Sequence, residues 1–139
     1  MPEFVLDHGL GDGAAWYATL DSFTQGYVQG IFFTESGDDD GKLGWDANVS
    51  DLAPVARARI IEVCRDFQDS MKAELAHAYE IDSSQDDERS GVDFWLTRNG
   101  HGAGFWDRGL GTVGDELSAA AHVYGEEYLY RGDDGLIYL

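Results

Sequence analysis

The stretch Val92-Asp93-Phe94-Trp95-Leu96-Thr97-Arg98-Asn99-Gly100-His101-Gly102-Ala103-Gly104-Phe105-Trp106-Asp107 sets two aromatic runs on either side of a glycine-rich tip. Aromatic runs bounded by glycine favour strands, so the pattern predicts a β-hairpin. Asn99-Gly100 is the dipeptide that most readily takes the positive φ values of a tight turn, and Gly102 and Gly104 lengthen the tip. His101 then stands in a loop, with Arg98, Asn99 and Asp107 beside it.

Around this stretch the chain reads in order. Residues 1–17 hold a short strand, Phe4-Val5-Leu6, or a flexible segment with Gly9, Gly11 and Gly13. Leu20, Phe23, Tyr27, Val28, Ile31 and Phe32 keep the three-and-four spacing of an amphipathic helix, with Asp21 at its positive end and Gly26 and Gly30 on one face. Ser50 or Asp51 caps a second helix with Pro54 in its first turn, and its stripe from Leu52 to Ala78 predicts one long helix to about Glu80. Residues 82–91 are a polar linker. Thr112-Val113-Gly114-Asp115 reads as a capping box for a short helix stopped at Gly125. Glu126–Tyr130 and Leu136–Leu139 then flank a second hairpin turn. The expected fold is α+β: two N-terminal helices, one long, packed on an antiparallel sheet formed by a hairpin-helix-hairpin unit. A chain of 139 residues suits one domain over 1–139, with helices in 18–80 and the hairpin-helix-hairpin unit in 92–139.

Three segments, DFWLTRNGHGAGFWDRG at Asp93–Gly109, GDELSAAAHVYGE at Gly114–Glu126 and YRGDDGLIYL at Tyr130–Leu139, resemble a group of small acidic proteins encoded by bacteriophages and other mobile elements. The resemblance covers the C-terminal third and extends loosely upstream through LDSFTQGYVQGIFFTES and DLAPVARARIIEVC. It implies a phage or plasmid origin and supplies no catalytic residue.

Charge narrows the function classes further. The chain carries 27 acids against 9 bases, a formal net charge of −18. Direct binding to nucleic acid is excluded as an expectation, because its non-specific affinity comes from lysine and arginine neutralising phosphates. The absence of a long apolar run and of a basic leader predicts a cytoplasmic protein with no membrane partner. The single cysteine, Cys64, cannot form an internal disulfide and falls on a helical apolar stripe, where it reads as a small buried hydrophobe.

Several chemical signals fail on inspection. The acidic segment 35–42 resembles a calcium loop, but aligning Gly41 with the turn glycine puts Ala47 where a bidentate glutamate belongs. Gly109, Gly111 and Gly114 match a dinucleotide-binding fingerprint between an expected strand and helix, yet Asp115 and Glu116 stand where a pyrophosphate would sit. His101-Gly102-Ala103-Gly104 has no serine in a nucleophile-elbow setting to serve. His101, His122, Cys64 and Asp107 lack the short-range spacing of a zinc site. Phe94, Trp95, Phe105 and Trp106 could stack bases, but such platforms work with basic grooves, and here acids surround Arg98 and Arg108. No cofactor, metal or enzymatic activity is therefore expected.

The leading expectation is a non-enzymatic interaction protein, a nucleic-acid mimic. Its carboxylates would occupy the basic groove of a host DNA- or RNA-binding defence protein, in an anti-restriction or anti-CRISPR role. The expected partner-binding residues are Asp38, Asp39, Asp40, Asp46, Asp86, Asp87, Glu88, Asp115, Glu116, Glu126, Glu127, Asp133 and Asp134. Two alternatives stand beside it. One is a small-ligand or enzymatic site at the tip, from Arg98, Asn99, His101 and Asp107. The other is acidity serving solvation alone, as in salt-adapted chains that avoid lysine; Lys42 and Lys72 are the only two here. The identity of the target and the oligomeric state are open at this stage.

Overall fold

A computed structural model describes residues 12–35 and 47–139. Among these residues the chain forms six α-helices and one two-stranded sheet: α1 (Gly13–Ala18), α2 (Ser22–Glu35), α3 (Pro54–Ser70), α4 (Lys72–Ile81), α5 (Asp87–Arg98), α6 (Thr112–Val123), β1 (Tyr130–Arg131) and β2 (Ile137–Tyr138). The protein is thus mostly helical. The expected α+β arrangement of helices laid on a hairpin-helix-hairpin sheet is not the fold.

The main correction falls on the aromatic stretch. Residues 92–98 are the C-terminal half of helix α5, and Phe105–Asp107 is a single 3₁₀ turn. Asp86 starts the helix by accepting from the Arg89 N–H at 2.9 Å, and Asp87 and Glu88 sit in the first turn, where the helix dipole favours negative charge. The polar linker is correspondingly shorter than expected. At the other end Asn99 donates from Nδ2 to the Trp95 carbonyl at 2.9 Å, and Gly100 has φ +72°. The same dipeptide that closes a hairpin therefore ends a helix here, because both need a residue in the left-handed region.

Helix α5 is buried almost throughout its C-terminal half because it is enclosed. Its most extensive packing is on α2, where Gly26, Gly30 and Gly91 let the two helices approach closely: a Cβ on Gly26 would lie 1.9 Å from the Glu88 carbonyl oxygen, and one on Gly30 would lie 3.1 Å from the Trp95 side chain. Phe94 stacks on Phe67 of α3 with centroids 4.2 Å apart and planes 17° from parallel, and Phe67 stacks in turn on Phe23 and Phe105 at 5.9 Å. Tyr27 meets Trp95 edge-on at 5.4 Å. Fully burying each such ring contributes on the order of 2–3 kcal/mol, so this aromatic column is the centre of the fold.

Other elements match or modify the expected ones. Helix α2 lies where the spacing places it, and Asp21 accepts from the Thr24 N–H at 2.8 Å. The single long helix is interrupted at Met71, whose backbone (φ −114°, ψ 26°) leaves the helical region, giving α3 and α4. Met71 N–H still reaches the Phe67 carbonyl and the Leu75 N–H the Met71 carbonyl, both at 2.9 Å. Pro54 is the first residue of α3, while Asn48 caps a preceding 3₁₀ turn, Val49–Asp51. Helix α6 follows Gly111, with no side-chain cap from Thr112. The second hairpin exists in reduced form, pairing Tyr130 with Tyr138 and Arg131 with Ile137. Ile137 also bridges Leu52, which ties the hairpin to the start of α3. No helix among the described residues is long and apolar enough to cross a membrane.

Candidate functional site

The residues of the expected tip do not gather into one polar cluster. Arg98 is 2 % exposed. Its Nε donates to the Gly125 carbonyl at 2.7 Å, Nη2 to the Tyr124 carbonyl at 2.9 Å and Nη1 to the Tyr27 hydroxyl at 3.1 Å. A cation at the C-terminal end of α6 is favourable both as a donor to orphan carbonyls and against the dipole. Asn99 is equally committed, since its Oδ1 accepts from the Glu127 N–H at 2.8 Å. The His101 N–H donates to the Leu96 carbonyl at 3.0 Å, and Asp107 accepts from the Gly104 N–H at 3.1 Å. Arg98 pairs with neither Asp93 nor Asp107.

Asp93 instead belongs to Arg108. The carboxylate is fully buried and receives Arg108 Nη2 at 2.7 Å, Arg108 Nε at 3.1 Å and Gln85 Nε2 at 3.0 Å. The bonds from Asp93 hold the Arg108 guanidinium above its ordinary pKa. Gln85 also donates to Ser90 Oγ at 3.0 Å, which extends this polar network inside the helical core.

The expected partner-binding carboxylates occupy several separate places in the fold. Asp38, Asp39, Asp40 and Asp46 lie outside the described residues, as does most of the calcium-like segment. Asp86, Asp87 and Glu88 are exposed at the start of α5, Asp115 in the first turn of α6 with Glu116 just after it, Glu126 beyond that helix, and Asp133 and Asp134 at the hairpin tip. Glu127 is turned inward. Its side chain is 11 % exposed and lies between Arg98 Nη1 at 3.4 Å and Arg59 Nε at 3.5 Å.

The cations show the complementary arrangement. Arg57 pairs with Asp12, Arg59 and Arg98 with Glu127, Arg108 with Asp93 and Arg131 with Asp51. Positive charge is therefore largely spent on holding the fold. Sequence spacing does not reveal these pairs, because their partners lie far apart along the chain.

Other signals are absorbed by structure. Phe94, Trp95 and Phe105 are core, and Trp106 is half exposed. Gly109 and Gly111 have φ +72° and +65°, and among the described residues no strand precedes them. Burial pushes the Cys64 thiol well above its ordinary pKa, the opposite of an activated nucleophile. Among the described residues no three His, Cys, Asp or Glu side chains come together as a metal site would require. A groove of about 440 Å³ runs between the start of α2 and α3, lined by Asp21, Thr24, Arg65, Gln68 and Asp69 with Leu20 and Ile61. Burial raises the Asp21 carboxyl, but bonds from Thr24 and Gln68 outweigh it and keep the group below its ordinary pKa.

What distinguishes the surface chemically is carboxylate together with exposed tyrosine near the C-terminus. Tyr128 and Tyr130 are 64 % and 56 % exposed. No family model, no curated protein and no solved structure matches the chain.

Proposed function

We propose that the chain is a non-enzymatic interaction protein whose outward carboxylates occupy the cationic groove of a nucleic-acid-binding partner, in the place of phosphates. One observation carries it: Arg57, Arg59, Arg98, Arg108 and Arg131 are spent in ion pairs within the protein, while Asp86, Asp87, Glu88, Asp115, Glu116, Glu126, Asp133 and Asp134 sit on or near the surface at element ends. Ion pairing within the protein leaves its net charge of −18 unchanged, and that excess is what a cationic partner would meet. Opposed fields speed encounter and make the affinity salt-dependent. The resemblance of the C-terminal third to phage and mobile-element proteins adds that the partner is a defence protein of the host.

Affinity capture from a bacterial lysate, followed by competition with duplex DNA, tests the proposal. The expected result is a captured nucleic-acid-binding protein that duplex DNA displaces, with an affinity that falls when Asp86, Asp87 and Glu88 are replaced by Asn and Gln. A captured partner that DNA fails to displace, or one indifferent to salt and to those substitutions, overturns it. Thermal melts across salt separate mimicry from salt adaptation. A mimic is cooperatively folded in dilute buffer, whereas a chain whose acidity serves solvation alone needs molar salt.

A further inference from the structure

The hairpin register sorts its side chains by face, because successive residues of a strand point to opposite sides. Ile137 is fully buried and its carbonyl accepts from the Ala53 N–H at 2.9 Å, so its face is the one turned to the core. Tyr130 and Tyr138, directly paired across the strands, share the other face, Tyr130 exposed and Tyr138 half-buried against the core, and their rings stack with centroids 5.6 Å apart and planes 19° from parallel. Upstream, Leu129 is buried and Tyr128 exposed, which extends the alternation. A chain that buries Phe23, Tyr27, Phe67, Phe94, Trp95 and Phe105 completely thus displays tyrosine rings here.

Two of these rings, Tyr138 and Tyr128, are coupled to carboxylates. Tyr138 donates its hydroxyl to Asp134 Oδ2 at 2.5 Å, and Tyr128 donates to Glu126 Oε1 at 2.7 Å. A phenol donating to an anion carries more electron density on its ring face, which strengthens its attraction for a cation. Asp134 also accepts from the Leu136 N–H at 3.0 Å, so it is held in its ionised form. Tyr130, Arg131, Gly132, Asp133, Asp134 and Tyr138 border an open depression of about 590 Å³. The neighbouring Arg131 is engaged with Asp51 at 3.3 Å and the Gly135 carbonyl at 2.7 Å, which anchors the hairpin to the body of the protein.

We infer that this tyrosine and carboxylate face is the arginine-binding anchor of the partner interface. The inference rests on the function proposed above and names the chemistry by which the partner is gripped. A guanidinium is planar and weakly hydrated, so it can lie flat on a tyrosine ring while its N–H edge meets a carboxylate; an ammonium does one or the other less well. Tyrosine and arginine are also the residue types over-represented at the energetic centres of protein interfaces. An apolar ligand would use the rings but would gain nothing from the ionised rim.

Titration of the full chain with nona-arginine and nona-lysine peptides at physiological salt tests this directly. Nona-arginine binds more tightly, Tyr130→Ala weakens that binding by about threefold to tenfold and removes the preference, and Tyr130→Phe restores it. Because Tyr130 is exposed, an unchanged melting temperature shows that the variant is folded. Equal affinity for the two peptides, or a Tyr130→Ala variant that binds nona-arginine as tightly as the parent, overturns the inference. The two proposals fail separately. A DNA-displaced partner that binds Tyr130→Ala normally removes the anchor and leaves mimicry intact. An arginine preference lost in Tyr130→Ala, with no DNA-displaced partner, does the reverse.

Discussion

Gly91 of α5 faces the Phe23 carbonyl oxygen of α2 so closely that a Cβ at Gly91 would lie 1.8 Å from it. No side chain can occupy that gap, so the two helices must separate to admit one, and the aromatic column between α2, α3 and α5 opens with them. Gly91→Ala and Gly26→Ala are each expected to destabilise the protein by about 3 kcal/mol, the upper part of the usual cost of overpacking. Gly102, with nothing near its notional Cβ and no positive φ, is the control: Gly102→Ala is expected to change stability by less than about 0.5 kcal/mol. Urea unfolding of the three variants measures the contrast, and equal midpoints would show that α2 and α5 do not meet at these glycines.

Arg98 is expected to tolerate no substitution, lysine included. Its donors reach two carbonyls and a hydroxyl in different directions, a fork that a single ammonium cannot reproduce. Arg98→Met leaves the end of α6 without its donors and Glu127 without its buried cation, a loss of about 3–5 kcal/mol. Arg98→Lys recovers less than half of it. Arg59, the other partner of Glu127, has a side chain 50 % exposed, and Arg59→Met is expected to cost under about 1 kcal/mol. Chemical denaturation that ranked Arg59→Met with Arg98→Met would contradict the burial described here.

These two sites show where sequence and structure part. Helix α2, the Pro54 start of α3, helix α6 and the Gly132–Gly135 turn were legible because each rests on local spacing, a cap or turn glycines. Helix α5 was not, because a helix enclosed on nearly all sides loses its amphipathic period, and Phe94-Trp95-Leu96 then looks like a buried strand. Asn99-Gly100 strengthened the error, since a left-handed residue ends a helix as readily as it turns a hairpin. The signal for the right answer was the glycine pair at Gly26 and Gly30 with Gly91 elsewhere, small residues that let backbones touch. The candidate site was legible as composition but not as geometry. Nothing in the spacing says that Asp93 takes Arg108 at a separation of 15 positions, or that Glu127 turns inward while Glu126 stays out.

The Asp93 and Arg108 pair is expected to behave asymmetrically. Asp93 is fully buried, whereas the Arg108 side chain retains 22 % exposure. Arg108→Met strands a carboxylate in the core and should cost about 3–5 kcal/mol. Asp93→Asn keeps an oxygen for Gln85 or Arg108 and leaves a guanidinium that can turn toward water, so it should cost less. A double-mutant cycle should give a coupling above about 1.5 kcal/mol, and additivity of the two single losses would show the pair to be decorative.

Stability should fall steeply on the alkaline side. Burial pushes Tyr27 above its ordinary value, and burial followed by the bond to Asp66 pushes Tyr124 up to about 12. Burial likewise raises the Cys64 thiol above its ordinary 9.0. In each case the folded protein keeps a proton that the unfolded chain has released, so the folded state binds more protons and its stability decreases as pH rises. The stabilisation is complete below about pH 9 and is lost progressively from there through pH 12, first with Cys64 and then, from about pH 10, with the tyrosines. Melting temperatures between pH 8 and 12 should trace this decline. Cys64→Ala should delay its onset toward pH 10, and Tyr124→Phe should make the remaining slope shallower. A melting temperature flat to pH 12 in the parent protein would mean that these groups are already open to water in the folded state.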